Sequence, residues 1–304
     1  MSRAQVVVVG GANVDLIATA AGPMVPRTSN PGNIRISAGG AARNIAENLA
    51  RLGVRTRLLA AVDAHPLADI AVRQAEDAGV DVSGVVRVPG HGSYYTALIV
   101  DGIVEWAVSD MGASEALPPA HLDAEKASLQ SAEMVVVDAN LSPAVIDRAA
   151  AFAGAAFCVV PVSAAKTTRI RRVLRRASLI ALGADEAAAL SGVAVTSPED
   201  ALRASAALRP GPGSTVVVTM SGRGLGWITE GRIWVEALSG RVVDPSGAGD
   251  AVTAVAIYAH LTGLEPRRAA ELAVAAGAMT VSVEGSTHPG LSLDALHALV
   301  HASA

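Results

Sequence analysis

The chain has 304 residues, 51% of them hydrophobic and only 3% aromatic, which fits helices packed on a buried parallel sheet better than an aromatic-rich β-sandwich. The formal charge of −4 supplies no positive field for gathering nucleic acid, and no apolar run reaches the ~18 residues of a membrane span without a charge or a breaker. Cys158 is the single cysteine and excludes an internal disulfide, so a soluble protein of the reducing cytoplasm is expected, with Cys158 in the core.

The opening "QVVVVGGANVDL" reads as a buried parallel strand ending in a glycine turn, because a β-branched run without polar alternation has both faces covered. Asn13 and Asp15 follow that strand end, where open parallel sheets bind ligands; an Asx turn is the plain structural reading of the same pair. After an extended segment through "GNIRIS", the stretch "GGAARNIAENLARLG" predicts an amphipathic helix. It is entered through Gly39 and Gly40, carries Ile45, Leu49 and Leu52 on one stripe, and stops at Gly53.

"RLLAAV" predicts a second buried strand and "LADIAVRQAEDAG" a helix closed by Gly79. "SYYTALIVDGIVEWAV" breaks the βαβ rhythm, since its two β-rich runs meet at the turn dipeptide Asp101-Gly102. Alternation resumes with "EMVVVDAN" as strand, "SPAVIDRAAAFA" as helix, and "AFCVVPVS" and "ASLIALG" as strands. The basic run "RIRRVLRR" is read as a solvated face spread by helical spacing. "STVVVTMSGRG" predicts a strand ending in a glycine loop, and "LGWITEGRIWVEAL" a hairpin turning at Glu230-Gly231.

The segment "DPSGAGDAVTAV" carries the most chemistry. Gly247, Ala248 and Gly249 can bring backbone N–H groups to an anion at the positive end of a helix. Asp250 beside that anion suits a base that takes a proton from an attacking hydroxyl. A simple helix cap is the alternative, worth about 1 kcal/mol, but a cap does not need Asp244, Ser246 and Asp250 interleaved with glycines. The Walker spacing GxxxxGK[ST] and the dinucleotide GxGxxG are both absent.

"DPSGAGD" and "GGAARNIAENLARLG" resemble, in order and position, the two signatures of the ribokinase-like (PfkB) family of sugar and nucleoside kinases. The resemblance covers essentially the whole chain. It implies a doubly wound α/β fold: a mostly parallel central sheet flanked by helices, forming one domain over residues 1–304, with a small β-sheet lid from segments near 14–37 and 91–110. It also implies ATP-dependent phosphorylation of a hydroxymethyl group. "SNPGNIRISAGGAARN", "SDMG", "PVSAAK" and "HPGLS" are similar to the branch of the family that acts on pseudouridine.

Carried over residue by residue, the resemblance makes Asp250 the general base and Gly247, Ala248 and Gly249 the anion hole. Asn13, Asp15, Gly39, Gly40 and Asn44 become sugar contacts, and Arg43 either reaches the base or a phosphate or is a surface arginine. Thr219, Gly222, Gly224 and Lys166 fall to the nucleotide, with an ordinary turn as the alternative for the loop. Glu186, Asp244 and Ser246 become metal or cation ligands, which implies Mg²⁺ and admits K⁺. In "GADE", Gly183 stands where the family often has asparagine, and Val160 precedes Pro161 where relatives tend to have aspartate. These departures leave a catalytically weak nucleoside or sugar binder as the rival from another class, and a sugar kinase as the nearer rival. Tyr94, Tyr95, Ile99, Val104 and Trp106 are expected either to cover substrate or to form a homodimer seam through the lid. A small-molecule partner is expected, and neither nucleic acid nor membrane.

Overall fold

The computed structural model describes residues 5–101 and 103–303. Strands β1 (Val6–Val9), β4 (Thr56–Val62), β5 (Asp81–Arg87), β8 (Met134–Asp138), β9 (Ala156–Val160), β10 (Leu179–Gly183), β11 (Thr215–Thr219), β12 (Gly224–Ile228) and β13 (Arg232–Glu236) form one sheet. Its order is β13-β12-β11-β10-β9-β8-β1-β4-β5. The pairings from β5 to β11 are parallel, and the hairpin β12–β13 adds an antiparallel edge. The run Val6–Val9 is fully buried, as the unbroken valines demand when helices cover both sheet faces.

The helices are α1 (Ala41–Arg51), α2 (Asp69–Asp77), α3 (Gly112–Glu115), α4 (Pro119–Ala124), α5 (Lys126–Ser131), α6 (Pro143–Phe152), α7 (Ala184–Ser191), α8 (Pro198–Leu208), α9 (Ala248–Thr262), α10 (Pro266–Val281) and α11 (Leu293–Ser303). Side chains of α1, α2, α9, α10 and α11 pack with Val6, Leu58 and Val136 on one sheet face. Those of α4 to α8 pack with Val7, Leu59 and Val137 on the other, so the expected doubly wound arrangement is present. No helix among the described residues is long and apolar enough to cross a membrane. Cys158 is buried in β9, and burial pushes its thiol pKa up.

A second sheet, ordered β3-β2-β6-β7, is built from β2 (Asn13–Ala20), β3 (Gly32–Gly39), β6 (Tyr94–Val100) and β7 (Ile103–Asp110). Strands β6 and β7 pair antiparallel as expected, while the Gly102 half of the predicted turn lies outside the described residues. The glycine turn after β1 delivers the chain directly into β2, so Asp15 projects from this small sheet rather than from a loop. Registry places Asp15 beside Ser37 and Tyr95, hence on one face. Ile34, Ile36, Trp106 and Val108 lie on the opposite face, where Ile34 is 71% and Trp106 73% exposed.

Two expectations change. The segment "RIRRVLRR" forms turns between short 3₁₀ pieces and not an α-helix: Ile170 and Val173 anchor inward while Arg171, Arg172, Arg175 and Arg176 stay in solvent. Helix α1 is also buried well beyond its apolar stripe, since Arg43, Asn44, Glu47 and Asn48 are all inside.

Candidate active site

Helix α9 begins at Ala248, with Gly247 before it in the left-handed conformation at φ 73°. A Cβ on Gly247 would stand 1.9 Å from the Ser286 carbonyl oxygen, so only glycine fits between the two chain segments. The first-turn N–H groups of a helix have no internal acceptor, and here the first-turn residues Ala248, Gly249 and Asp250 line the cavities described below, at the helix's positive end.

Asp250 sits half-buried on that first turn. Burial pushes its carboxyl up to about 7, helped by the charges of Asp138 and Asp15 and opposed by the Asn44 hydrogen bond and Arg43. Asn44 Nδ2 donates to Asp250 Oδ2 at 2.7 Å. A carboxylate poised near neutrality is what general-base chemistry requires.

What orients Asn44 is buried behind it. Its Oδ1 accepts from Arg43 Nη2, and Ser286 Oγ lies 2.9 Å from both that oxygen and the Ala38 carbonyl. Arg43 is fully buried. It donates to Glu47 Oε2 at 2.5 Å, to Ser286 Oγ at 2.9 Å, and to the carbonyls of Gly39 and Ala38 at 3.1 Å each. Glu47 in turn accepts from Arg51, Gln74 and Thr287. Arg43 is therefore not a surface residue; its donors are taken up behind the cleft by Glu47, Asn44, Ser286 and the carbonyls of Ala38 and Gly39.

On the small sheet, Asn13 Nδ2 donates to Asp15 Oδ1 at 2.7 Å. Burial raises the Asp15 carboxyl to about 6, against the pull of Asn13 and Arg43. Gly39 pairs with Asn13, and a Cβ there would lie 2.5 Å from both Asp15 oxygens, so the glycine leaves room for that carboxylate. Gly40 is the N-cap of α1. Asn13, Asp15, Gly39, Gly40 and Asn44 thus gather in one region with Asp250.

Two cavities meet beside Asp250. The larger, of about 410 Å³, is lined by Thr219, Gly222, Gly224, Leu238, Val252 and Val281 among others. The smaller, of about 200 Å³, is lined by Gly183, Glu186, Thr219, Gly249, Asp250 and Thr253 among others. Thr219, Gly249 and Val252 belong to both walls. Lys166 lines neither; its ammonium donates to Asn140 Oδ1 at 2.7 Å. Asp244 is held by Arg35 at 2.7 Å, and Ser246 is exposed.

The sequence reading missed Asp138, a buried carboxylate at the end of β8. It accepts from Gly11 N at 2.8 Å, Asn140 N at 2.8 Å and Ala42 N at 3.2 Å, and so locks the first glycine turn to the start of α1. Its position at a parallel strand's carboxyl end was the available signal. Ser286, Thr287 and Arg35 carried no local signal.

Residues 3–292 match the family profile described as pfkB family carbohydrate kinase. The chain is 30% identical over 303 residues to the pseudouridine kinase of Escherichia coli (strain K12), covering 97% of this chain and 96% of that protein. Its fold is similar to a carbohydrate kinase from Agrobacterium tumefaciens, with TM-score 0.81 and 26% identity over 99% of this chain and 97% of that one. It also resembles an Arabidopsis thaliana ribokinase complexed with ribose and ATP, with TM-score 0.85 and 19% identity over 98% of this chain and 99% of that one.

The two glycines of this turn separate stability from binding. Gly247→Ala combines left-handed strain with overlap on Ser286, and an expected loss of ~2–5 kcal/mol is read by urea denaturation. Gly249 has open space where a Cβ would go. Gly249→Ala is therefore expected to keep or gain up to ~1 kcal/mol of stability while weakening nucleotide binding measured by calorimetry.

Proposed function

The chain belongs to the pfkB family of carbohydrate kinases, and from that premise we propose that it transfers the γ-phosphoryl group of ATP to the 5′-hydroxyl of a nucleoside, with pseudouridine the preferred acceptor. The observation that carries this reading is Asp250: a carboxylate raised to about 7, standing on an open helix N-terminus where two cavities join. The choice of acceptor rests on the relatedness to the E. coli pseudouridine kinase.

The larger cavity has the apolar walls a nucleotide base needs, with Thr219, Gly222 and Gly224 at its rim. Phosphates extending from it along Gly249 reach the smaller cavity. Asp15 and Asn13 accept and donate to vicinal ribose hydroxyls, and Gly39 leaves them accessible. Asp250 takes the 5′-hydroxyl proton as the oxygen forms its bond to the γ-phosphorus. The bond from that phosphorus to the β–γ bridging oxygen breaks, and ADP leaves. The amides of Ala248 and Gly249 receive the charge of the transferring group.

Mg²⁺ supplies charge neutralisation on the β and γ oxygens when it accompanies the nucleotide. Glu186, on the first turn of α7 and lining the smaller cavity together with Asp250, is the carboxylate that would hold it. Gly183 leaves the space that Glu186 occupies, since a Cβ there would lie 2.6 Å from Glu186 Oε2. No cluster of three or more metal-binding side chains occurs among the described residues, which suits an ion held mainly by phosphate and water.

The small sheet also bears on assembly. Sheet alternation puts Tyr95 on the Asp15 face, whereas Tyr94 packs toward α2 and donates to Asp63 at 2.7 Å. Trp106, Ile34, Ile36 and Val108 form an exposed apolar face turned away from Asp15. A second copy of this chain is the proposed cover, because a matching apolar face satisfies each protomer without a further partner.

ADP release measured across pseudouridine, uridine, adenosine, ribose and fructose 6-phosphate tests the acceptor. Pseudouridine is expected to be the best substrate, and preference for ribose would transfer the assignment to a sugar kinase. Asp250→Asn is expected to lower kcat by ~10²- to 10⁴-fold. With the folded pKa above the ordinary 3.8, kcat/KM falls on the acid side of about pH 7 and levels off above it. Asn44→Ala removes a bond that holds this pKa down, so that limb moves to higher pH. The same raised pKa means that ionising Asp250 weakens the fold as pH climbs from about 4 toward 7, so Asp250→Asn at about pH 8 should melt no lower than the parent. Trp106→Glu is expected to halve the mass seen by light scattering.

A further inference from the structure

Asp244 opens the anion-hole loop, and with Ser246 it offers oxygen chemistry that suits a monovalent cation. The structure uses that carboxylate differently. Its Oδ2 accepts from Arg35 Nη2 at 2.7 Å and from Gly285 N at 3.2 Å, and its Oδ1 accepts from Ser246 N at 3.0 Å. An ionised carboxylate has about four lone-pair positions, and these donors occupy three of them, on both oxygens. Burial raises the Asp244 carboxyl, but Arg35, Ser246 and Gly285 outweigh burial and hold it below its ordinary value.

A potassium ion at Asp244 would also face a fixed like charge. The Arg35 guanidinium lies in direct contact with the carboxylate and has its other terminal nitrogen 3.9 Å from Glu284. It pairs with Ile17 on β2, two positions along from the Asp15–Ser37 pair, so it projects from the same sheet face as Asp15. One guanidinium thus links the sheet that carries Asp15 to both Asp244 and the 284–286 segment whose Ser286 buttresses Gly247 and Asn44.

We propose that Arg35 is the built-in cation of this site: a positioning residue that charge-balances the Asp244–Asp250 loop from the small sheet and makes phosphoryl transfer independent of K⁺. The proposal rests on the kinase reading for its catalytic consequence, but its binding consequence is separate. A tethered cation holds the loop at any ionic composition, whereas a diffusible one does so only when its concentration exceeds its dissociation constant.

The test has a binding arm and a rate arm. In the absence of nucleotide, thallium(I) NMR, with Tl⁺ as the K⁺ probe, is expected to show no bound signal on the wild-type protein and a K⁺-displaceable one on Arg35→Ala. At constant ionic strength, wild-type ADP release is expected to be equal in KCl, NaCl and choline chloride. Arg35→Ala should lose about 10-fold in kcat, as removal of an outer-shell support does, and recover with K⁺ or added guanidinium, while Arg35→Lys keeps most of the rate in choline. A displaceable Tl⁺ signal on the wild type, or a wild-type rate several-fold higher in K⁺ than in choline, overturns the proposal. So does an Arg35→Ala protein with full rate in choline. If no acceptor supports ADP release, the kinase reading fails, while the Tl⁺ measurement on the wild-type protein still decides the cation assignment without turnover and without any variant.

Discussion

The site depends on a buried hydrogen-bond chain that runs from Glu47 through Arg43 and Asn44 to Asp250. A charged guanidinium with no solvent contact is tolerable only when its donors are matched. Here Glu47, Asn44, Ser286 and the carbonyls of Ala38 and Gly39 match them. The arrangement holds Asn44 from one side and Asn44 holds Asp250 from the other. Elements distant in sequence are drawn to the same point: α1 supplies the chain, α9 supplies Asp250, and the segment after α10 supplies Ser286 and Thr287.

Within that frame the electrostatics of the cleft follow. Beyond burial, the charges of Asp138 and Asp15 raise the proton affinity of Asp250 and that of Asp244 raises Asp15, while Arg43 restrains both from behind. Asp138 is retained because the amides of Gly11 and Ala42 need an acceptor where β1 and β8 end. The carboxylates divide their labour by environment. Asp138 is saturated with N–H donors and structural, Asp244 is paired with Arg35, Asp15 is held by Asn13, and Asp250, held by Asn44, lines the smaller cavity.

The doubly wound order was legible because buried parallel strands advertise themselves as valine runs, and the helices between them end at glycines. The segment "DPSGAGD" was legible because glycines with a following apolar helix have few other physical uses. The direction in which Arg43 points was not legible. An arginine on an amphipathic helix ordinarily faces water, and only the long-range partners Ser286 and Gln74–Glu47 reverse that preference. Arg35 was invisible for the same reason, since its partner Asp244 is 209 residues away. The basic run at 169–176 does present a solvated face through Arg171, Arg172, Arg175 and Arg176, but charge spacing alone does not report that Ile170 and Val173 anchor it inward through turns and short 3₁₀ pieces.

The seat of Gly247 against Ser286 has a bearing on biosynthesis. During translation the strands and α1 emerge long before the stretch that follows α10, so a nascent chain on the ribosome can assemble most of its sheet while Gly247 and Asn44 still lack the Ser286 segment that packs on them. The chain's last part to be made is therefore the one that closes the region around Asp250.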